Sequence, residues 1–112
     1  MAYETLDETE WDSVEQVWDL LDEGKTEGAR IALEALLARR PGHPDLRIVD
    51  AAVSLDEGDA ARALATLRGA ARSADPALFF HLRAAARDEL VERTEARDDA
   101  DRALAINPES AE

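Results

Sequence analysis

The side chains with the greatest potential for chemistry are two histidines and a group of three aspartates. His43 lies in a proline-flanked turn, and His81 follows 38 residues later in a helical stretch. Metal sites and nucleophilic triads carry recognisable motifs, and neither histidine belongs to one. Asp98, Asp99 and Asp101 lack the loop spacing of a calcium site. Because the chain also has no cysteine, we predict no enzymatic activity, no cofactor and no bound metal.

The charge of the chain is strongly asymmetric. The formal net charge is −13, and residues 1–27 carry ten acidic side chains against one basic one, Lys25. Phosphate binding needs a basic surface, so we predict no nucleic-acid partner and no attraction to an anionic membrane. The acidic end either keeps the protein soluble or attracts a basic partner.

Length and composition indicate one helical domain spanning residues 1–112. The apolar fraction is 46%, with only 4% aromatic residues, and it is mostly alanine and leucine, which favours helices over strands. No stretch is as long as the roughly 18 apolar residues that a membrane span requires. The N-terminus lacks the apolar core of a signal peptide. We therefore expect no membrane insertion and a cytoplasmic location.

Glycine and proline divide the apolar periodicity into six predicted helices. Within each pair, the two helices are separated by a short stop, at Gly24, at Gly58 and shortly before Thr94. Each pair ends at a proline: Pro41, Pro76 and Pro108. The pattern predicts an all-α protein built from three antiparallel helical hairpins.

Polar residues at the predicted boundaries supply the expected caps. Asp7 or Thr9 would cap the first helix, and Asp7 and Glu10 have the spacing of a capping box. Asp45 would cap the third helix, Asp75 the fifth and Thr94 the sixth. The fourth helix is expected to cover about residues 60–73. The third helix is apolar nearly all round, which predicts that it is buried on more than one side.

The glycine stops at Gly24 and Gly58 belong to a sequence segment that recurs along the chain. Leu21-Asp22-Glu23-Gly24 returns as Leu55-Asp56-Glu57-Gly58, and a weaker copy, Asp88-Glu89-Leu90, has lost its glycine. The acidic pairs of the three copies are 34 and 32 residues apart, and the prolines that end the hairpins are 35 and 32 apart. A period of this length predicts three copies of one helical hairpin, of which the third is the least regular.

The repeated unit resembles the tetratricopeptide repeat, whose pattern is W-x2-L-G-x2-Y, then A-x3-F, then P. The first part corresponds to Trp11-x2-Val14-Glu15-x2-Trp18 and to Ile48-x2-Ala51-Ala52-x2-Leu55. In the third unit it corresponds poorly to Phe80-x2-Arg83-Ala84-x2-Arg87, and Phe79-x2-Leu82 is an alternative register. The second part corresponds to Ala29-x3-Leu33, Ala63-x3-Leu67 and Ala96-x3-Ala100. The resemblance implies units at about residues 9–44, 45–76 and 77–110 in a right-handed superhelical stack. The alternative is a generic alanine-rich stack of six helices.

In tetratricopeptide proteins the first helices of the units line a concave groove, and the resemblance implies such a groove here. The residues expected on its surface are Asp12, Gln16, Asp19, Leu46, Val49, Val53, Asp56, His81, Ala85 and Asp88. An acidic wall beside an apolar floor would suit a basic amphipathic segment. Alternatively, Val49 and Val53 belong to the core, and His81 is an ordinary surface residue. Trp11 and Trp18 are either core or exposed for contact.

These observations predict a non-enzymatic protein-interaction module or scaffold that binds a protein or peptide partner. The alternatives are a regulatory or targeting segment of a larger enzyme or of a secretion or assembly protein, and a self-assembling scaffold. Helical stacks often end with an additional polar helix over the last apolar face. The third unit has none after it, which predicts possible self-association through its uncapped C-terminal face.

Overall fold

The computed structural model describes residues 4–70 and 75–106, with side chains at residues 4–70, 75–99 and 101. Over these residues the chain forms five helices: α1 Glu8–Asp22, α2 Thr26–Arg39, α3 Pro44–Asp56, α4 Ala60–Leu67 and α5 Pro76–Ile106. The described residues contain no strand, which confirms the predicted all-α class. Within the same ranges, no helix combines the length and the apolar character needed to cross a membrane.

The turns after α1 and α3 have the same backbone structure, as their shared sequence predicts. Gly24 and Gly58 adopt φ values of 75° and 81°, a region that glycine enters without steric cost. The amide of each glycine donates to a leucine carbonyl three residues earlier, at 3.0 Å. The amide after each glycine donates to the carbonyl five residues earlier, at 2.8 Å. This arrangement is the Schellman motif, which ends a helix at glycine.

The predicted stop before a sixth helix is wrong, because α5 continues unbroken from Pro76 to Ile106. The residue equivalent to Gly58 is Leu90, which stays helical. Thr94, the expected cap, instead donates its hydroxyl to the Leu90 carbonyl at 2.9 Å, within the same helix. A leucine disfavours the left-handed conformation that ends α1 and α3, so nothing local stops the helix. The third hairpin is therefore not formed.

Two other expected boundaries also need correction. Helix α4 ends at Leu67, earlier than the expected residue 73, and residues 71–74 lie outside the described ranges. The proposed end of the last hairpin at Pro108 lies outside them as well. Asp75 behaves as predicted and caps α5, accepting from the Leu78 amide at 3.0 Å.

The cap of α3 is His43, and not Asp45 as predicted. The His43 Nδ1 accepts from the Asp45 amide at 3.1 Å, while Nε2 lies 2.7 Å from the carbonyl oxygen of Glu4. A neutral ring with its proton on Nε2 satisfies both contacts. The ring is only 4% exposed. His43 therefore links the start of α3 to the segment before α1.

The helices form two layers around two neighbouring apolar clusters. Helix α3 contacts both α1 and α5, while α2 packs against α1 and α3, and α4 packs against α3 and α5. One apolar cluster lies among α1, α2 and α3, and a second lies among α3, α4 and α5. Trp18 and Leu21 contact both clusters. Because α3 lies in the middle, it is buried on several sides, as its sequence predicted.

Arg30 on α2 ties the first hairpin to α3. Its guanidinium donates to the Asp50 carboxylate at 2.7 Å, to the Ser54 hydroxyl at 3.2 Å and to the Glu57 carboxylate at 2.6 Å. The Arg30 side chain is only 14% exposed, and bidentate contact with Glu57 gives the pairing a defined orientation. The hydrogen bonds from Arg30 hold the pKa of Glu57 below its usual range. The network fixes the relative position of the two hairpins.

A second ion pair joins the beginning of α1 to the end of α2. Asp7 and Glu10 form a capping box, in which each side chain accepts from the backbone amide of the other residue. Arg40 donates to both oxygens of Glu10, at 2.8 and 2.9 Å, and the Glu10 side chain is fully buried. The hydrogen bonds from Arg40, and then the Asp7 amide, lower the pKa of Glu10 from 4.5 to about 2.

The Glu10 site predicts a specific response to acid. Its folded-state pKa is lower than its unfolded-state pKa, so the ionised side chain stabilises the fold above about pH 4.5, and this stabilisation is lost between pH 4.5 and about 2. We expect urea unfolding to show a steeper loss of stability across that window for the wild type than for Glu10→Gln, which cannot titrate. Parallel pH profiles for the two proteins would contradict the assignment.

Candidate functional site

A small cleft opens where α1, α3 and α5 approach one another. It has a volume of about 110 Å³. Its lining residues come from all three helices: Trp11, Val14, Trp18, Asp45, Ile48, Val49, Asp75 and Leu78. The cleft therefore combines apolar walls with two carboxylates. It lies on the layer formed by the first helix of each predicted repeat, where the resemblance placed a groove.

Two tryptophans form the α1 side of this cleft. Trp11 and Trp18 are seven residues apart and lie on one face of the helix, because seven residues make nearly two helical turns. Trp18 is half-buried against both apolar clusters. Trp11 remains 38% exposed. The structure thus answers the question left open by the sequence: one ring anchors the core, and the other is available at the surface.

Acidic side chains border the exposed edge of Trp11. Successive residues are rotated by about 100° around a helix, so Glu8, Glu15 and Asp22 lie on the same side of α1 as Trp11. Glu8 and Glu15 are about one turn from Trp11, whereas Asp22 is about three turns away, next to Trp18. All three are exposed. The carboxylates at the other side of the cleft belong to residues near helix N-termini, where negative charge is favoured. Asp75 caps α5, and Asp45 lies in the first turn of α3.

The three α1 residues expected to form the acidic wall lie further from the cleft. Asp12, Gln16 and Asp19 are exposed, as expected of surface residues. However, helical geometry rotates them by about 80° to 140° from Trp11, on the side away from buried Val14. They extend the acidic surface of α1 but do not line the cleft.

The expected apolar floor of the groove is instead the protein core. Leu46 and Val53 are 0% exposed, and Val49 is 2% exposed. All three pack in the cluster that joins α1, α2 and α3. Only Val49 reaches the edge of the cleft. An intact α3 therefore presents neither Leu46 nor Val53 to a partner, and their expected role as a binding floor is wrong.

The remaining expected residues are all on the surface but do not form one site. Asp56, at the end of α3, accepts a hydrogen bond from the hydroxyl of Thr26. His81 and Asp88 are exposed on α5, and His81 lies one turn beyond Leu78, on an adjacent part of the helix. Ala85 is partly exposed. None of these four residues lines the cleft.

Of the residues that line the cleft, only Val49 belongs to the groove expected from the sequence, and Asp75 and Leu78 are among those that were not expected. A signal was present, because an aspartate followed by proline marks a helix start, and Leu78 is the next large apolar residue. The sequence does not indicate the direction from which α5 approaches α1. That direction depends on how both helices pack against α3.

The histidine and acidic side chains of the described residues are not gathered into a metal site. No group of three or more histidine, aspartate or glutamate side chains in the described ranges is placed to hold a metal ion. Both ring nitrogens of His43 contact backbone groups, and His81 is on a different helix with an exposed ring. The geometry of the described part offers an apolar contact surface with acidic borders.

Comparisons of the chain with protein-family models, with curated proteins and with solved structures return no match. The assignment of a function therefore depends on the cleft and its surroundings.

Proposed function

We propose that this chain is a non-enzymatic interaction module that binds a basic amphipathic segment of a partner protein at the α1–α3–α5 cleft. The observation that supports this most strongly is the half-exposed Trp11, which stands beside an apolar cleft and among acidic side chains. Tryptophan is enriched among the residues that dominate binding at protein interfaces.

The size of the cleft favours a peptide side chain over a small molecule. Sites for small molecules usually have volumes of about 300–1,000 Å³ and enclose most of the ligand. The cleft is much smaller, at about 110 Å³. It offers room for a single apolar side chain, with the rest of the bound segment lying across the surface of α1. A helix that inserts one anchor residue binds in this manner.

Charge favours a basic partner. Glu8 and Glu15 lie about one turn from Trp11 on α1, Asp22 lies about one turn from Trp18, and Asp45 and Asp75 belong to the cleft itself. Lysine or arginine side chains flanking an apolar anchor would reach these carboxylates. Complementary charge raises the rate of association and disfavours acidic partners. Binding is therefore expected to weaken as the salt concentration rises.

We further propose that the architecture is a tetratricopeptide-like stack. It would consist of two complete hairpins followed by α5, which corresponds to the first helix of a third repeat. The contacts of α2 with α1 and α3, and of α4 with α3 and α5, are those expected of successive hairpins. The identical glycine turns after α1 and α3 support the same interpretation. The right-handed curvature of such a stack stays a prediction.

The proposal is tested with a synthetic helical peptide that carries leucines at i, i+3, i+4 and i+7 spacing and lysines elsewhere. The chain has two tryptophans, and both line the cleft. If the peptide contains no tryptophan, the fluorescence of Trp11 and Trp18 reports binding of the peptide at the cleft. We expect saturable binding with a dissociation constant on the order of micromolar. Trp11→Ala and Glu15→Lys are each expected to weaken it by about tenfold.

Two controls make this experiment specific. Glu27→Lys makes the same charge change as Glu15→Lys at an exposed position on α2, and it is expected to leave the affinity nearly unchanged. A peptide with the same leucine positions but glutamate in place of lysine should not bind. Equal affinity for the basic and acidic peptides, or equal effects of the two charge reversals, would contradict the proposal.

A further inference from the structure

One face of α5 is exposed, although the equivalent face of α3 is buried. Both helices begin with a proline, Pro44 and Pro76, 32 residues apart. With this equivalence Ile48 corresponds to Phe80, and the two residues differ sharply, with exposures of 3% and 55%. Ile48 packs with α4 residues in the second apolar cluster. In the described part of the chain, no helix follows α5 to cover Phe80.

The uncovered surface is a continuous strip along α5. Phe80, Ala84, Arg87 and Val91 recur at alternating spacings of four and three residues, which places them on one side of a helix. All four are exposed, including 54% of Val91. Arg83 lies at the edge of the strip, with its guanidinium carbon 5.1 Å from the centre of the Phe80 ring. We call these five residues the α5 strip.

The second half of α5 cannot cover the strip of its own chain. Because the helix has no stop at Leu90, the residues after Val91 continue along α5 away from Phe80, over about 22 Å at 1.5 Å per residue. The side chains of residues 91–99 and of Asp101 are all exposed. A helical segment of this length is marginal by itself in water, so packing against another element would stabilise it.

We propose that two copies of this chain form a two-fold dimer in which the second half of each α5 covers the α5 strip of the other copy. The dimer would exchange the last element of the third hairpin, because each chain supplies to its partner the helix that would otherwise fold back. Exchange of an identical element is a favourable route to a symmetric pair. The paired helices run antiparallel and cross near Val91.

The charges on α5 are complementary for this arrangement. Arg87 lies four residues before Val91, and Glu95 lies four residues after it. Arg83 and Asp99 lie eight residues before and after. In an antiparallel pair centred on Val91, each arginine therefore faces a carboxylate of the other copy. Opposite charges across the helices set partner and orientation in coiled coils in the same way.

Most of the negative charge of the chain is located elsewhere. Residues 1–27, which contain the acidic α1, account for −9 of the net −13. Helix α1 packs against α2 and α3. The α5 strip itself carries two arginines and no acidic residue, whereas residues 91–106 carry five acidic and three basic side chains. The charge of the strip is therefore opposite to that of the second half of another α5.

The mass in solution tests the proposal directly. By analytical ultracentrifugation, the wild type is expected to reach twice the 12.3 kDa of the single chain at high micromolar concentration. Leu90→Gly supplies the missing helix stop, so each chain can close its own hairpin, and this variant is expected to be monomeric. Leu90→Ala removes the same side chain but keeps the helix, and it should remain a dimer.

A charge exchange provides a second, independent test. Arg87→Glu and Glu95→Arg are each expected to raise the dimer dissociation constant by at least about tenfold, because each places like charges together. The double variant R87E/E95R restores opposite charges and should recover dimerisation. Arg68→Glu, at an exposed position on another part of the chain, changes the net charge equally and should have little effect.

Several results would overturn the dimer. These are a wild type that stays monomeric at high micromolar concentration, a double variant as weak as the single ones, and equal effects of Arg68→Glu and Arg87→Glu. Circular dichroism verifies that each variant is helical. If Leu90→Gly unfolds, the charge exchange still decides the question.

Discussion

Ala63→Glu is expected to unfold the protein. Ala63 on α4 is 0% exposed and packs in the cluster formed by α3, α4 and α5. A glutamate there would either bury an unpaired carboxylate, at a cost of several kcal/mol, or force α4 away from its neighbours. A domain of this size has a free energy of unfolding of about 5–15 kcal/mol. The expected loss of stability is therefore comparable to the entire free energy of unfolding. Circular dichroism should show the loss of the cooperative thermal transition.

The control lies two residues away on the same helix. Ala65→Glu adds the same side chain and the same charge, but Ala65 is exposed. Its effect on stability is expected to be small, within about 0.5 kcal/mol. Similar melting temperatures for the two variants would show that the face of α4 assigned to the core is wrong.

Leu46→Ala is expected to reduce the free energy of unfolding by about 2–5 kcal/mol, because it leaves a cavity at a fully buried position. For a domain of this size, this corresponds to a melting temperature lower by at least about 8 °C. Thermal unfolding followed by circular dichroism measures the shift. The affinity of the folded variant for the basic peptide should stay the same, since Leu46 belongs to the core and does not line the cleft.

Ile31→Ala is the matched control for Leu46→Ala. Ile31 is aliphatic and helical too, but it is 68% exposed on α2. The change is expected to alter stability by less than about 0.5 kcal/mol. If Leu46→Ala weakened peptide binding and left stability unchanged, Leu46 would belong to a binding surface, as the resemblance to tetratricopeptide proteins implies.

The local signals in the sequence were reliable where one residue type has one physical role. Gly24 and Gly58 ended their helices as expected, because both turns need a positive φ. The capping box of Asp7 and Glu10 formed as its spacing predicts. The cap of α3 was not predicted, because histidine is not a usual capping residue. His43 takes this role through a ring that is also held by the segment before α1.

The missing stop at Leu90 shows the limit of an argument from repeats. The period makes Leu90 the position of the third copy that is equivalent to Gly58. It did not ensure that the equivalent residue can adopt the same conformation. Leucine favours a helix, and α5 therefore runs through the predicted turn.

The sequence by itself determined the helical class, the position of the first two hairpins and the acidic character of α1, because propensity, punctuation and charge are local properties. Only the tertiary structure decided which surfaces are available. Helix α3 is apolar nearly all round, so its sequence does not indicate which of its faces is buried. The burial of Leu46 and Val53 follows from the packing of α3 against other helices on several sides. The cleft beside Trp11 likewise depends on the approach of three helices that are distant in sequence.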